Sequence, residues 1–309
     1  MTAALTTRWD SLAFDLPPTV PGTGPFTSRA FLETWWEHRS EPEDALLLVA
    51  ADDALLPLLR RGDLVAFLGE QDLTDYHSPR GDDLTEVMAS LVDVADPGWR
   101  FSFNSIPEPA ASLVTEALHA TGIESAATRH QTAAVVALPP TYEDWLDAIG
   151  KKQRHEVRRK RRRFVEALGD PRLERLSGAD AVAAFSAMHR LSPGDKGMFM
   201  TPAMEAFLNG LHHRAGAVID ALCGDDGRPV AAGFGFEDGG GYYLYNSAFD
   251  PAAGAASPGV VLIDMLIEQA ISSARTVFDF LKGDEPYKFR LGAEERPLYE
   301  VTGRFGDRR

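Results

Sequence analysis

The sequence is poor in cysteine, in long apolar runs and in positive charge, and each shortage removes a class of protein. One cysteine, Cys223, stands among 309 residues; an internal disulfide is therefore excluded and a reducing compartment favoured. Cys223 itself reads as a small buried side chain in a strand rather than a nucleophile. No stretch approaches eighteen apolar residues, so no transmembrane segment is expected. Met1 to Arg8 shows no apolar run behind a basic start, and the expectation is a soluble, cytoplasmic protein. The pattern His-Glu-x-x-His is missing, and His189, His212 and His213 fall on expected helices without metal-ligand spacing, so no metal is expected.

What is present is enough apolar material for a large core: 44% of residues are hydrophobic, and the length suits two domains. The net charge is −15, unevenly spread. Residues 151–163 (KKQRHEVRRKRRR) hold nine Lys and Arg against one Glu, which leaves 22 basic and 45 acidic residues elsewhere. A basic segment in so negative a field is drawn to an anion or to the protein's own acidic surface. Nine cations on one helix also fit a phosphate backbone, as in RNA, but no second basic patch supports DNA binding.

In chain order, Thr27 to Arg39 reads as a helix capped by Thr27 or Ser28, with Phe31, Leu32, Trp35 and Trp36 on its apolar face. Ala45 to Ala51 and Ala54 to Arg60 form a hairpin pattern about Asp52-Asp53, and Asp63 to Gly69 a third strand. The polar loop Asp75-Tyr76-His77-Ser78-Pro79 either lines a site or is a solvated turn. A helix over 84–94, a strand over 99–106, a helix over 108–120 and a strand over 131–138 complete a mixed α/β domain ending at Pro139-Pro140.

Thr141 caps the next helix with Asp144 three residues on, Gly150 interrupts it, and the basic helix runs to Leu168 before Gly169-Asp170-Pro171. Residues 1–140, 141–169 and 170–309 are thus expected as a first domain, a basic connecting segment and a second domain. In the second, a strand over 172–176 and helices over 179–191 and 202–213 precede strands over 217–223, 229–236 and 241–249. Arg296 to Val301 offers a last strand. Between these, Asp250 to Ser257 is a loop of small residues, Pro258 to about Ala274 an apolar helix with Pro at its start, and Val277 to Leu281 a short strand. The start of such a helix has unpaired N–H groups and the positive end of a dipole, and Ser257-Pro258-Gly259 lacks the bulk that keeps a pyrophosphate away. Ordinary α/β packing uses the same strand, loop and helix.

Several of these stretches carry a resemblance: Phe31-Leu32 with Trp35-Trp36, Leu68-Gly69, Asp75-Tyr76, the basic helix after Trp145, Ser257-Pro258-Gly259, and above all residues 278–288, FDFLKGDEPYK. Over nearly its full length the chain resembles the CelD-like branch of the GNAT acetyltransferase superfamily, a double-GNAT arrangement related to the Fem-type peptidoglycan aminoacyltransferases. The resemblance implies an α/β (mixed α+β) fold of two tandem GNAT-like domains, each a mixed sheet flanked by helices. It implies an acyltransferase using acetyl-CoA or another acyl-CoA as cosubstrate, with the acyl site in the second domain.

In such folds the strand before the pyrophosphate helix splays from its neighbour, and its free backbone groups hold the pantetheine arm and thioester carbonyl. Here that segment is Asn246, Ser247, Ala248 and Phe249, with Ser257, Gly259 and Val260 at the diphosphate. The loop departs from the family's Gln/Arg-x-x-Gly-x-Gly/Ala pattern, having Asp250-Pro251-Ala252-Ala253-Gly254 instead. A departing thiolate is helped by gaining a proton and an amine must lose one. Tyr287 stands where the family places a phenol for the sulfur, and Asp279, Asp284 or Glu285 supplies a base. Asp284-Glu285-Pro286 equally suits a helix start, Tyr287 a structural hydrogen bond, and Lys288 a phosphate, a substrate carboxylate or solvent. Asp75, Tyr76 and Lys288 are the expected acceptor contacts. The expected acceptor is an amine of a small molecule, sugar or cell-envelope precursor. The alternatives are a Fem-like transferase drawing on aminoacyl-tRNA and an inactive GNAT-fold scaffold.

Overall fold

A computed structural model describes residues 4–6, 9, 12–69, 72–178 and 180–306. The chain divides into two units, Met1–Ala133 with Arg296–Arg309, and Ala134–Glu295. Part of the N-terminal stretch 1–8, and the expected helix start at Ala179, lie outside the described residues.

The first unit begins with β1 (Ala4–Thr6), α1 (Arg29–Arg39), β2 (Asp44–Ala50), β3 (Ala54–Arg61), β4 (Leu64–Phe67) and β5 (Arg80–Gly81). It continues through α2 (Thr85–Val94), β6 (Arg100–Pro107), α3 (Glu108–Ala120) and β7 (Ser125–Ala137). Ser28 is the cap of α1, its Oγ accepting the Phe31 N–H at 3.2 Å. The hairpin of β2 and β3 turns at Asp52-Asp53, with Ala50 opposite Leu55. β4 runs parallel to β6, with α2 on the connection between them.

The second unit contains α4 (Tyr142–Ala148), α5 (Gly150–Leu168), β8 (Arg172–Leu176), α6 (Ala181–Arg190), α7 (Asp195–Phe199), α8 (Pro202–Arg214) and β9 (Val218–Cys223). β10 (Pro229–Glu237), β11 (Gly241–Phe249), α9 (Pro258–Ser272), β12 (Val277–Lys282) and α10 (Pro286–Arg290) follow, and β13 (Glu294–Arg304) belongs to the first unit from Arg296 on. Thr141 and Asp144 form a reciprocal cap on α4: the Thr141 Oγ1 accepts the Asp144 N–H at 3.2 Å and donates to its carboxylate at 2.6 Å. Gly150, with φ of 80°, breaks α4 from α5. The strands run β12, β11, β10, β9, β8 across the sheet; β11 is parallel to β12 and the rest pair antiparallel. Leu262, Leu266, Ile267 and Ala270 of α9 join Tyr242, Leu244 and Phe278 of the sheet in one core. A fully buried Leu, Ile or Phe side chain among these contributes about 1.5–3 kcal/mol.

Three expectations change. The last strand forms as β13, but it pairs with β6 of the first unit, because Val301 and Phe305 belong to that unit's core. The small-residue loop is a 3-10 turn, Pro251–Ala256, started by Asp250 accepting the Ala252 N–H at 2.9 Å. The five-residue α7 was not expected; it is too short to show a period.

The basic helix α5 lies within the second unit. Five of its nine cations have acidic partners: Arg154 with Asp147, Arg158 with Glu143, Arg159 and Lys160 with Glu156, and Arg161 with Glu268 and Asp264. Lys151, Lys152, Arg162 and Arg163 have none among the described residues. Asp264 is buried on α9 and accepts from the Tyr142 hydroxyl at 2.5 Å. Burial, against that hydrogen bond and the Arg161 charge, lifts its carboxyl to about 6.

Candidate functional site

The sheet of the second unit is open at one place. β11 pairs with β12 only at Gly241↔Val277, Tyr242↔Phe278 and Tyr243↔Asp279. On its other side it stays paired with β10 as far as Phe249, with a bulge that makes Tyr245 an extra residue. Residues 244–249 thus run beside a gap where a neighbouring strand would be. Asp279 explains where the gap starts. Its buried carboxylate accepts the Leu281 N–H at 2.7 Å, and Leu281 has φ of 60°, which turns β12 off an extended path.

At the wide end of the gap β11 leads through the 3-10 turn to α9. Ser257 takes a left-handed conformation, φ 57° and ψ 45°, and the Val260 and Val261 N–H groups turn back to its carbonyl at 3.1 and 3.3 Å. Pro258 has no N–H, and the Gly259 N–H has no partner among the described residues. Ser257, Gly259 and Val260 are half-exposed, and Gly259 faces the Phe249 ring, which a Cβ would meet at 3.5 Å. One free N–H at the positive end of a fifteen-residue helix fits one phosphate group. The other amides of the turn are largely spent on the turn itself.

At the β12 side, Tyr287 is 40% exposed, its ring edge-on to Phe280 at 6.0 Å. Burial of the hydroxyl and the nearby Glu285 carboxylate push the phenol up to about 12, so it holds its proton at neutral pH. Lys288 is 3% exposed. Its Nζ donates to the carbonyls of Lys282 at 2.6 Å and Gly283 at 3.3 Å and pairs with Glu285 at 2.9 Å. Gly283, with φ of 114°, leaves room for that amine: a Cβ there would sit 2.9 Å from it. Lys288 therefore ties down the end of β12, while the Glu285 carboxylate is more than half exposed.

On the β11 side, the Asn246 Oδ1 accepts the Ser247 N–H at 2.7 Å and lies 3.2 Å from the His189 Nε2. His189, at the end of α6, is 1% exposed, and its Nδ1 has no hydrogen-bond partner. From the sequence it is a helix residue without metal-ligand spacing, because its partner lies 57 positions away.

Of the expected site residues, Asn246 to Phe249 line the gap, Ser257, Gly259 and Val260 form the helix start, Asp279 is at the vertex, and Glu285, Tyr287 and Lys288 follow β12. Asp75 and Tyr76 belong to the first unit. Tyr76 is fully buried there, 6.1 Å from Phe26 and 4.9 Å beneath the Arg296 guanidinium, so it is a core residue. Asp75 beside it is half-buried. Among the described residues, no group of three or more His, Cys, Asp or Glu is placed to hold a metal ion, and no helix is long and apolar enough to cross a membrane.

Residues 151–289 match a family model described as an acetyltransferase (GNAT) domain. Most of the second unit is thus similar to a GNAT acetyltransferase domain. No protein with a curated description matches. A conserved protein of unknown function from Bacteroides thetaiotaomicron is similar in fold at TM-score 0.68 and 12% identity, over 94% of this chain and 95% of that one. FemX is similar at TM-score 0.62 and 11% identity, over 97% of each chain. The C-terminal domain of a putative lysylphosphatidylglycerol synthetase from Agrobacterium fabrum is similar at 0.56 and 12%, over 88% and 91%. At these identities the likeness is one of fold, and it extends beyond the GNAT domain to most of the chain. Within the matched residues, the pairing of β11 with β12 ends at Tyr243 and Asp279, and β11 leads on to the start of α9.

Proposed function

We propose that the protein moves an acetyl or other acyl group from coenzyme A directly to an amine, and that the donor lies in the gap between β11 and β12. The observation carrying this is the end of pairing at Tyr243 and Asp279 on a strand that runs on to the free Gly259 N–H. A cosubstrate that is extended, with a diphosphate at one end and a thioester at the other, matches an anion site at the wide end and unpaired backbone along the way. Ser257, Gly259 and Val260 take the diphosphate side, and Asn246 to Phe249 the pantetheine arm. Tyr287, neutral at working pH, donates its proton to the leaving sulfur, and the proton released by the amine restores the phenol. The acceptor is an amine of a small molecule, sugar or cell-envelope precursor; the fold shared with FemX and the putative lysylphosphatidylglycerol synthetase domain supports the last. Within this reading the protein is CelD-like and works in the cytoplasm, where acyl-CoA is found.

A second reading, transfer from aminoacyl-tRNA, is favoured by one observation. Lys151, Lys152, Arg162 and Arg163 of α5 have no acidic partner, and Arg162 lines an open groove of about 480 Å³ with Arg158, Arg161, Val165 and Glu166. Titration with acetyl-CoA and with total tRNA separates the two. Saturable acetyl-CoA binding supports the first; salt-sensitive tRNA binding without acetyl-CoA binding supports the second. Binding of neither leaves a scaffold that retains only the fold.

A further inference from the structure

The pair His189 and Asn246 determines which way a polar side chain points in the open part of β11. The Ser247 N–H, 2.7 Å from the Asn246 side chain, can be received only by its oxygen, which fixes the carboxamide orientation. The His189 Nε2 at 3.2 Å from that same oxygen must then be a donor, so it carries the ring proton. Burial and the nearby Lys196 and Arg190 charges lower the tendency of His189 to gain a second proton, with the Asn246 contact acting the other way. The imidazole is neutral and its Nδ1 is bare, in agreement with the absence of a partner there. The Asn246 oxygen is thus doubly engaged from the protein side, and its NH2 group is left without a partner among the described residues.

Position along the strand says what that NH2 meets. The vertex of the gap is at Tyr243, and the anion site is beside Phe249. Asn246, next to the bulge at Tyr245, lies about 10 Å along the strand from Phe249, whose ring reaches the Gly259 end, and is that much nearer the vertex. A molecule anchored by its diphosphate at the wide end directs its other end, the acyl group, toward the vertex. We propose that Asn246 donates its NH2 to the acyl carbonyl oxygen, and that His189 is the positioning residue that holds the carboxamide for this. The proposal rests on the acyl-CoA reading above. In the transfer, the amine nitrogen bonds to the carbonyl carbon, the carbon–sulfur bond breaks, and one proton passes in net from nitrogen to sulfur. Negative charge that gathers on the oxygen is met by a donor already in place, which is the arrangement that lowers such barriers.

The test is difference infrared spectroscopy of carbonyl-labelled acetyl-CoA bound to the intact protein, with affinity measured in parallel. The expected result is a thioester carbonyl band at lower wavenumber than in free acetyl-CoA. That shift is lost in Asn246→Ala, reduced in His189→Phe and retained in His189→Gln, which keeps a donor in place; the parallel titration fixes the bound fraction in each variant, so that the band is compared at equal occupancy. An unshifted band in the wild-type complex, or the same shift in Asn246→Ala, overturns the proposal while leaving acyl-CoA binding intact. If wild-type protein binds no acetyl-CoA, the acyl-CoA reading fails and this proposal with it.

Discussion

Leu281 gives its backbone N–H to the Asp279 carboxylate at 2.7 Å, two residues back on the same strand, while holding φ at 60°. A leucine in the left-handed region costs about 1–2 kcal/mol relative to its ordinary conformations. The bond to a buried carboxylate offsets part of that cost, and the pairing of β12 with β11 reaches no further than Asp279.

Replacing Asp279 by Ala leaves a buried N–H unpaired, a penalty of about 1–3 kcal/mol. The expected outcome is a fall of that size in urea-denaturation stability, together with weakened acetyl-CoA binding, since nothing then holds β12 away from β11. Stability lost without any change in affinity would show that the bend does not shape the gap.

Lys288 is expected to matter for folding and not for transfer. Its amine fills a cradle of two carbonyls and one carboxylate, so Lys288→Met costs about 2–3 kcal/mol. Acetyl-CoA affinity per folded molecule stays within error of wild type in a titration corrected for active fraction. A selective loss of binding at unchanged stability would instead make Lys288 a ligand contact.

The pH dependence of stability has a part assignable to Asp264. Its carboxyl is raised to about 6 in the folded chain against 3.8 for the free side chain, so the native state holds the extra proton between these values. Stability from this group is therefore greatest below about pH 4 and declines as pH rises through 6, by about 3 kcal/mol at most. Asp264→Asn is expected to flatten that segment of the curve in denaturation series at stepped pH. Tyr142→Phe, which removes the hydrogen bond favouring the ionised form, is expected to extend the decline to higher pH.

Tyr287→Phe removes the proposed proton donor while keeping the ring against Phe280. Release of thiol from acetyl-CoA, followed with a thiol reagent and hydroxylamine as a generic amine, is expected to slow by about a hundredfold or more with little change in affinity. Equal rates would remove the phenol from the mechanism.

Much of this fold is legible from the residues alone. The helix over 108–120 and the strand over 241–249 have the bounds that periodicity and flanking Pro and Gly indicate, and the Thr141-Asp144 cap follows from residue type. The start of the gap is not legible, since leucine is not a residue that marks left-handed backbone and the Asp279 bond depends on that conformation. His189 and Asn246 meet across 57 positions through the packing of α6 on the sheet, which no local pattern encodes. The sequence offers a phosphate, a substrate carboxylate or solvent for Lys288, because a lysine two residues after a proline gives no sign that Gly283 clears a pocket for it. Residues 296–301 have a similar limit: a strand's own pattern shows that it will pair, and not that its partner is β6.

The central claim is that the start of α9 receives one phosphate of the cosubstrate's diphosphate, and Gly259→Asp tests it most directly. An aspartate in the first turn favours the helix by a few tenths to about 1 kcal/mol and places a negative charge where the phosphate would lie. Calorimetric titration with acetyl-CoA should show saturable binding to the wild-type chain and a loss of roughly tenfold or more in the variant, with stability equal or slightly higher. Equal affinity in the two proteins, or no binding to either, would contradict the account.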